Sequence, residues 1–72
     1  MTINKELGMR IRFLREKRKM TLEDLEFEAK VNKNYLSDLE RGNRNPTLKI
    51  LTRIALAFGI TLEELFKGIR VN

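Results

Sequence analysis

Asn32, Lys33, Asn34, Tyr35, Ser37 and Asp38 crowd into one short run, NKNYLSD, of a 72-residue chain. An Asn amide can pair bidentately with adenine N6 and N7. Lys can donate to guanine O6 and N7, and Asp can accept from cytosine N4; each good pair discriminates by roughly 1 to 3 kcal/mol. The chemistry on offer is recognition of base edges in a duplex major groove, and Lys33, Asn34 and Ser37 are its leading candidates. Asn32 serves either this role or that of a helix N-cap. Tyr35 either faces DNA or packs against a later helix. Asp38 needs a cytosine, or a neighbouring cation such as Arg41, to offset its repulsion by phosphates. Just past the run, Arg41, Asn43 and Arg44 would meet the sugar-phosphate backbone, positioning the chain without specifying sequence.

Such side chains can read a groove only from a braced helix, and the flanking residues supply one. Thr21 to Arg41 reads as two short helices joined by a turn. Thr21 with Asp24 makes a capping box, and Leu22, Leu25 and Ala29 form the buried stripe of a helix ending near Lys30. Val31 packs into the turn. The reading helix covers about 32–41, with Leu36 and Leu39 pointing inward and Arg41-Gly42 closing it. Before this pair, Leu7, Ile11 and Leu14 lie at i, i+4 and i+7, which predicts a helix from about Asn4 to Lys17 with Met9 and Phe13 on its other face. After it, Thr47 caps a helix from Leu48 to Phe58 that is apolar almost all round and expected at the centre. Gly59 ends that helix, and Thr61 with Glu64 opens a fifth carrying Leu62, Leu65, Phe66 and Ile69, ending at Gly68. The expected fold is all-α, a single five-helix domain over 1–72.

Fifteen Lys and Arg against ten Asp and Glu give a net charge of +5 and a pI near 10.0, so polyanions are the expected partners. Arg10, Arg12, Arg15, Lys17, Arg18 and Lys19 crowd one stretch, which reads either as part of that attraction or as a solvated face. The chain has no Cys and no His. That leaves no disulfide framework, no thiolate or imidazole metal site and no obvious nucleophile-base pair, so neither an enzyme, a cofactor nor a small-molecule ligand is expected. A core this small is marginal unless it is nearly all helix or joins a partner. No apolar run reaches the roughly 20 residues that span a bilayer, and the N-terminus lacks a signal-peptide core, so a cytoplasmic location is expected.

From Leu7 through Phe66 the segments LGMRIRFLREKRKMTLEDL, NKNYLSDLERGNRNPTL and LTRIALAFGITLEELF resemble the small helix-turn-helix repressors of the phage lambda and Xre type. The run YLSDLERGNRNPT is also similar to the controller proteins of restriction-modification systems. The resemblance implies a bacterial or phage regulator, nucleoid-associated, that binds its operator as a symmetric dimer with the third helix in the major groove. It also implies that Thr21 and the neighbouring backbone N–H groups hold a phosphate, and that Arg15 and Glu40 form a structural salt bridge between the first and third helices. Leu22 stands where the family typically has a phosphate-contacting Gln. Lys19 and Lys30 stand where Gly is common and φ is often positive, at an expected cost of a few tenths to about 1 kcal/mol each. Glu26 replaces a small residue at the junction of the second and third helices.

Ile60, Leu62, Phe66, Ile69 and Val71 are more apolar side chains than a small core readily absorbs at a chain terminus, which points to a homodimer. Leu56, Phe66 and Ile69 are the expected interface, whereas Leu62 and Leu65 are expected to close the monomer core. A twofold pair would set two reading helices roughly 34 Å apart and match a palindromic site. Met9, Phe13 and Phe27 either form a second contact surface or fill space beneath basic side chains. Activation would require a contact with RNA polymerase, for which Glu23 and Asp24 are candidates. The rival class is an antitoxin or coactivator that uses the same fold to hold a protein. A longer tail would favour that class, and the sequence ends at Asn72 without one.

Overall fold

Short polar residues open every helix. Thr2, Thr21, Thr47 and Thr61 each accept the backbone N–H three residues on, and Asn32 accepts two such groups, satisfying donors that a helix start leaves orphaned. In the computed structural model, which describes residues 2–70, these caps introduce α1 (Ile3–Lys17), α2 (Leu22–Ala29), α3 (Lys33–Glu40), α4 (Leu48–Phe58) and α5 (Leu62–Leu65). The all-α, five-helix architecture is the expected one, and among the described residues there is no strand.

α1 buries Leu7, Ile11 and Leu14, the stripe that its spacing predicts, against α3. Gly8 lies on the same side, and a Cβ there would overlap the carbonyl oxygens of Leu39 and Glu40. Only glycine allows this close approach. Leu36 and Leu39 are fully buried, and burial of this kind stabilises by about 1.5 to 3 kcal/mol per side chain. α3 is thereby fixed in rotation as well as position.

Two turns hold α2 at its angle. Lys19 and Lys30 both adopt φ 57, the left-handed region that the resemblance implied. Val31 is buried in the turn between α2 and α3.

Two later helices depart from the expected pattern. α4 buries Leu51, Ile54, Ala55 and Phe58, but Leu48 and Leu56 are each 72% exposed. It is therefore amphipathic and flanks the core, because α2 and α5 cover only one side of it. α5 is a single turn: Phe66 is already its C-cap and Gly68 turns at φ 82. Thr61 caps it, but the Glu64 carboxylate turns to Arg10 at 3.6 Å, so only half of the expected capping box forms among the described residues. Val71 lies outside the described residues.

Candidate nucleic-acid interface

α2 and α3 converge on the start of α3. The Asn32 side-chain oxygen accepts from the backbone N–H of Asn34 at 2.8 Å and of Tyr35 at 3.2 Å, so Asn32 is an N-cap. Glu26 accepts the backbone N–H of Lys33 at 2.8 Å. Three donors at this terminus are therefore satisfied internally. Glu26, which stands where the resemblance implies a small residue, joins the helices by capping.

With Leu36 and Leu39 turned inward, the opposite edge of α3 carries the polar run. Asn34 is exposed, and its side chain makes no hydrogen bond among the described residues. The Lys33 ammonium lies 3.1 Å from Glu23 of α2. A hydrogen bond from Glu23's own backbone N–H to its carboxylate, and then the Lys33 ammonium, hold the Glu23 carboxyl below the usual carboxylate range. Ser37 accepts from Arg41 at 2.7 Å. Asp38 has the cationic partners that its position demands: Arg41 binds one carboxylate oxygen and Arg44 the other, at 3.3 Å. The Arg44 guanidinium also stacks 5.0 Å from the Tyr35 ring centroid. Tyr35 is half-buried and shares a hollow of about 250 Å³ with Ile50 and Arg53 of α4. Tyr35 therefore packs between α4 and the Arg44 guanidinium.

Thr21 completes a full capping box: its hydroxyl accepts from the Asp24 N–H at 3.0 Å, and Asp24 accepts from the Thr21 N–H at 2.9 Å. Two donors expected for a phosphate, the backbone N–H groups of Thr21 and Asp24, are thus taken within the box. Glu23 and Asp24, the acids considered for a polymerase contact, are engaged by Lys33 and by the Thr21 backbone N–H.

Below the reading face, Arg15 grips Glu40 bidentately at 2.7 and 3.0 Å and donates to the Met20 carbonyl at 2.8 Å. The hydrogen bond to Glu40 raises the Arg15 pKa against the opposing effect of burial. The structural salt bridge is as expected, with side chains only 12% and 7% exposed. Asn43 donates its backbone N–H to the Asp38 carbonyl at 2.9 Å, which folds the loop carrying Arg44 back along α3.

A family model described as Helix-turn-helix matches residues 11–65. The chain belongs to this helix-turn-helix family. It is 43% identical over 64 residues to the HTH-type transcriptional regulator DdrOP3 of Deinococcus deserti, covering 89% of this chain and 50% of that protein. The chain thus spans about half the length of that relative. Among solved structures it is similar to the restriction-modification controller protein C.AhdI from Aeromonas hydrophila (TM-score 0.83, 34% identity, covering 86% of this chain and 90% of that one). It is also similar to the controller protein C.Esp1396I, described as a tetramer in complex with its natural 35 base-pair operator (TM-score 0.79, 25% identity, covering 93% and 99%).

The helix-turn-helix unit is α2 and α3, and several of its supports came from residues given another role in the sequence. Arg10 donates to the carbonyls of Glu64 and Leu65, and Arg18 to those of Phe58 and Leu14. These two members of the basic run act as braces that satisfy helix C-termini, while Arg15 ties α1 to Glu40 and to the turn before α2. No periodicity marks that use, since it depends on which carbonyls the tertiary fold brings within reach.

The expected interface residues divide. Leu56 is exposed, whereas Phe66 and Ile69 are half-buried against the core, as are Ile60 and Leu62. Leu65 is fully buried and closes the core, as expected. Phe13 has Arg10 and Lys17 5.8 and 5.9 Å from its ring centroid yet stays exposed, as do Met9 and Phe27. No helix among the described residues is long and apolar enough to cross a membrane.

Proposed function

We propose that the chain is a sequence-specific, duplex-DNA-binding transcriptional regulator that lays α3 in the major groove. The observation that carries this reading is the division of α3 into a buried edge, Leu36 and Leu39, and an outward edge bearing Lys33, Asn34 and Ser37. Asn34, exposed and unengaged, reads a base, with Lys33 and Ser37 on either side of it. Thr21, Arg41, Asn43 and Arg44 contact the phosphate backbone. The regulators and controller proteins to which the chain is similar support this assignment.

The active species is a homodimer on a palindromic site. Leu48, Thr52 and Leu56 make an i, i+4, i+8 ridge along the open side of α4, with both leucines exposed. A ridge of this kind is stabilised by burial against its own copy, and the half-buried Phe66 and Ile69 are the further interface candidates. The assembly of C.Esp1396I on its operator supports an oligomer.

Selection of bound sites from a random duplex pool tests the reading. Recovery of paired half-sites about one helical turn apart is the expected outcome. Asn34→Ala relaxes the preference at one position in each half-site, whereas Arg44→Gln weakens binding to all sequences alike. A pool that yields no preferred sequence would sink the proposal.

A further inference from the structure

Beside the reading face lies a second cationic surface. Lys5, Met9 and Arg12 follow one stripe of α1 and, with Arg41 and Asn43, line a groove of about 500 Å³ between α1 and the end of α3. Two contacts fix this stripe against the loop after α3. The Asn4 side chain donates to the Arg44 carbonyl at 3.3 Å. Gly42, at φ +83, lies so near α1 that a Cβ there would stand 2.9 Å from Lys5 Cα.

The acids around this groove are already engaged. Glu40, which lines it, gives both carboxylate oxygens to Arg15. Asp38 is held by Arg41 and Arg44, and Glu16 by Arg12 at 3.1 Å on the exposed surface. Lys5 has no carboxylate within salt-bridge distance among the described residues. The groove is therefore a cationic trough continuous with Arg41 and Asn43.

We infer that this groove is a phosphodiester track, in which Lys5 and Arg12 neutralise backbone phosphates flanking the half-site, next to those met by Arg41 and Arg44. The inference rests on the DNA-binding reading above but needs no particular operator. Arg12 exchanges its solvent-exposed partner Glu16 for a phosphate, and Lys5 gains a partner. Both contacts add affinity without sequence preference.

Salt dependence is the readout, because each neutralised phosphate steepens the fall of log K with log salt by about 0.9. The full chain and its Lys5→Gln, Arg12→Gln and doubly substituted forms are titrated on a duplex extending well past the site. Each substitution is expected to flatten the slope by about one while leaving base preference unchanged. Lys5→Arg keeps the slope. A duplex trimmed to the edge of the site gives the unsubstituted chain the slope of the double variant, and leaves the double variant itself unmoved. A double variant whose slope on long duplex equals that of the unsubstituted chain would overturn the track, as would a changed base preference. If the chain binds all duplexes equally, the sequence-specific reading falls while the slopes still decide the track. If it binds none, both fall.

Discussion

Glu26 of α2 caps α3 by accepting the backbone N–H of Lys33 at 2.8 Å. Helix caps of this sort contribute about 0.5 to 2 kcal/mol. Glu26→Ala is therefore expected to lower stability to urea by an amount in that range, although Ala is the better helix former. Glu26→Gln, which keeps an acceptor oxygen, should lose less. An alanine variant as stable as the parent would show that the cap contributes nothing.

Arg15 and Glu40 are bonded bidentately in a largely buried setting. Glu40→Ala strands a guanidinium between α1 and α3, and the expected cost in equilibrium unfolding is about 3 to 5 kcal/mol. Arg15→Met combined with Glu40→Leu removes both charges and should recover much of that loss, since desolvation then falls on neither. The double variant also loses the bond from Arg15 to the Met20 carbonyl, so recovery is incomplete. Equal destabilisation by the single and double changes would refute this account of the pair.

What could be read from the sequence follows from how local each signal is. The capping box of Thr21 and Asp24, the inward stripe of Leu36 and Leu39, and the turn at Val31 are set by spacing alone, and they lie where spacing puts them. The left-handed turns at Lys19 and Lys30 were implied by the resemblance. Arg10 and Arg18 could not be placed the same way: their partners lie 54 and 40 residues away, so a run of cations in sequence gave no hint of carbonyls brought together in space. The exposed side of α4 was missed for a related reason. An apolar helix looks central until the number of neighbours available to cover it is known.

Gly8 had no visible signal either, since a glycine inside a helical pattern usually just weakens it by about 1 kcal/mol relative to Ala. Here the Cβ of Gly8→Ala would collide with the backbone oxygens of Leu39 and Glu40, which cannot swing aside as a side chain can. The substitution should therefore destabilise, by about 1 to 3 kcal/mol as overpacking does, and should weaken DNA binding by displacing α3. A thermal midpoint raised by Gly8→Ala would contradict the close approach.

The Glu23 carboxyl, held low by its own backbone and by Lys33, links the reading head to acid pH. A carboxyl whose folded pKa is depressed contributes stability above its unfolded value, and that contribution fades as pH falls through the folded value. The titration midpoint of Glu23, followed by side-chain NMR, should lie below the ordinary 4.5. In Lys33→Met it should move up part of the way, because the backbone bond remains. A midpoint unaffected by removing Lys33 would show that the 3.1 Å ion pair does not persist in solution.

Asp38 presents the sharpest choice between two chemistries on the reading face. A carboxylate near α3's outer edge could accept from cytosine N4, yet one of its oxygens is taken by Arg41 and the other by Arg44. On the proposed docking it would also bring negative charge toward the phosphates, while it holds two arginines whose remaining N–H groups can donate. Asp38→Asn keeps the shape and removes the charge. If the carboxylate is spent on the arginines, the variant should bind unrelated duplexes more tightly, with a salt slope steeper by about one as the released cations find phosphates. Base preference should be unchanged at every position of the selected site. If Asp38 instead reads cytosine, discrimination at one position in each half-site should fall by roughly 1 to 3 kcal/mol. Selected-site sequences for the two proteins, compared position by position, separate these outcomes.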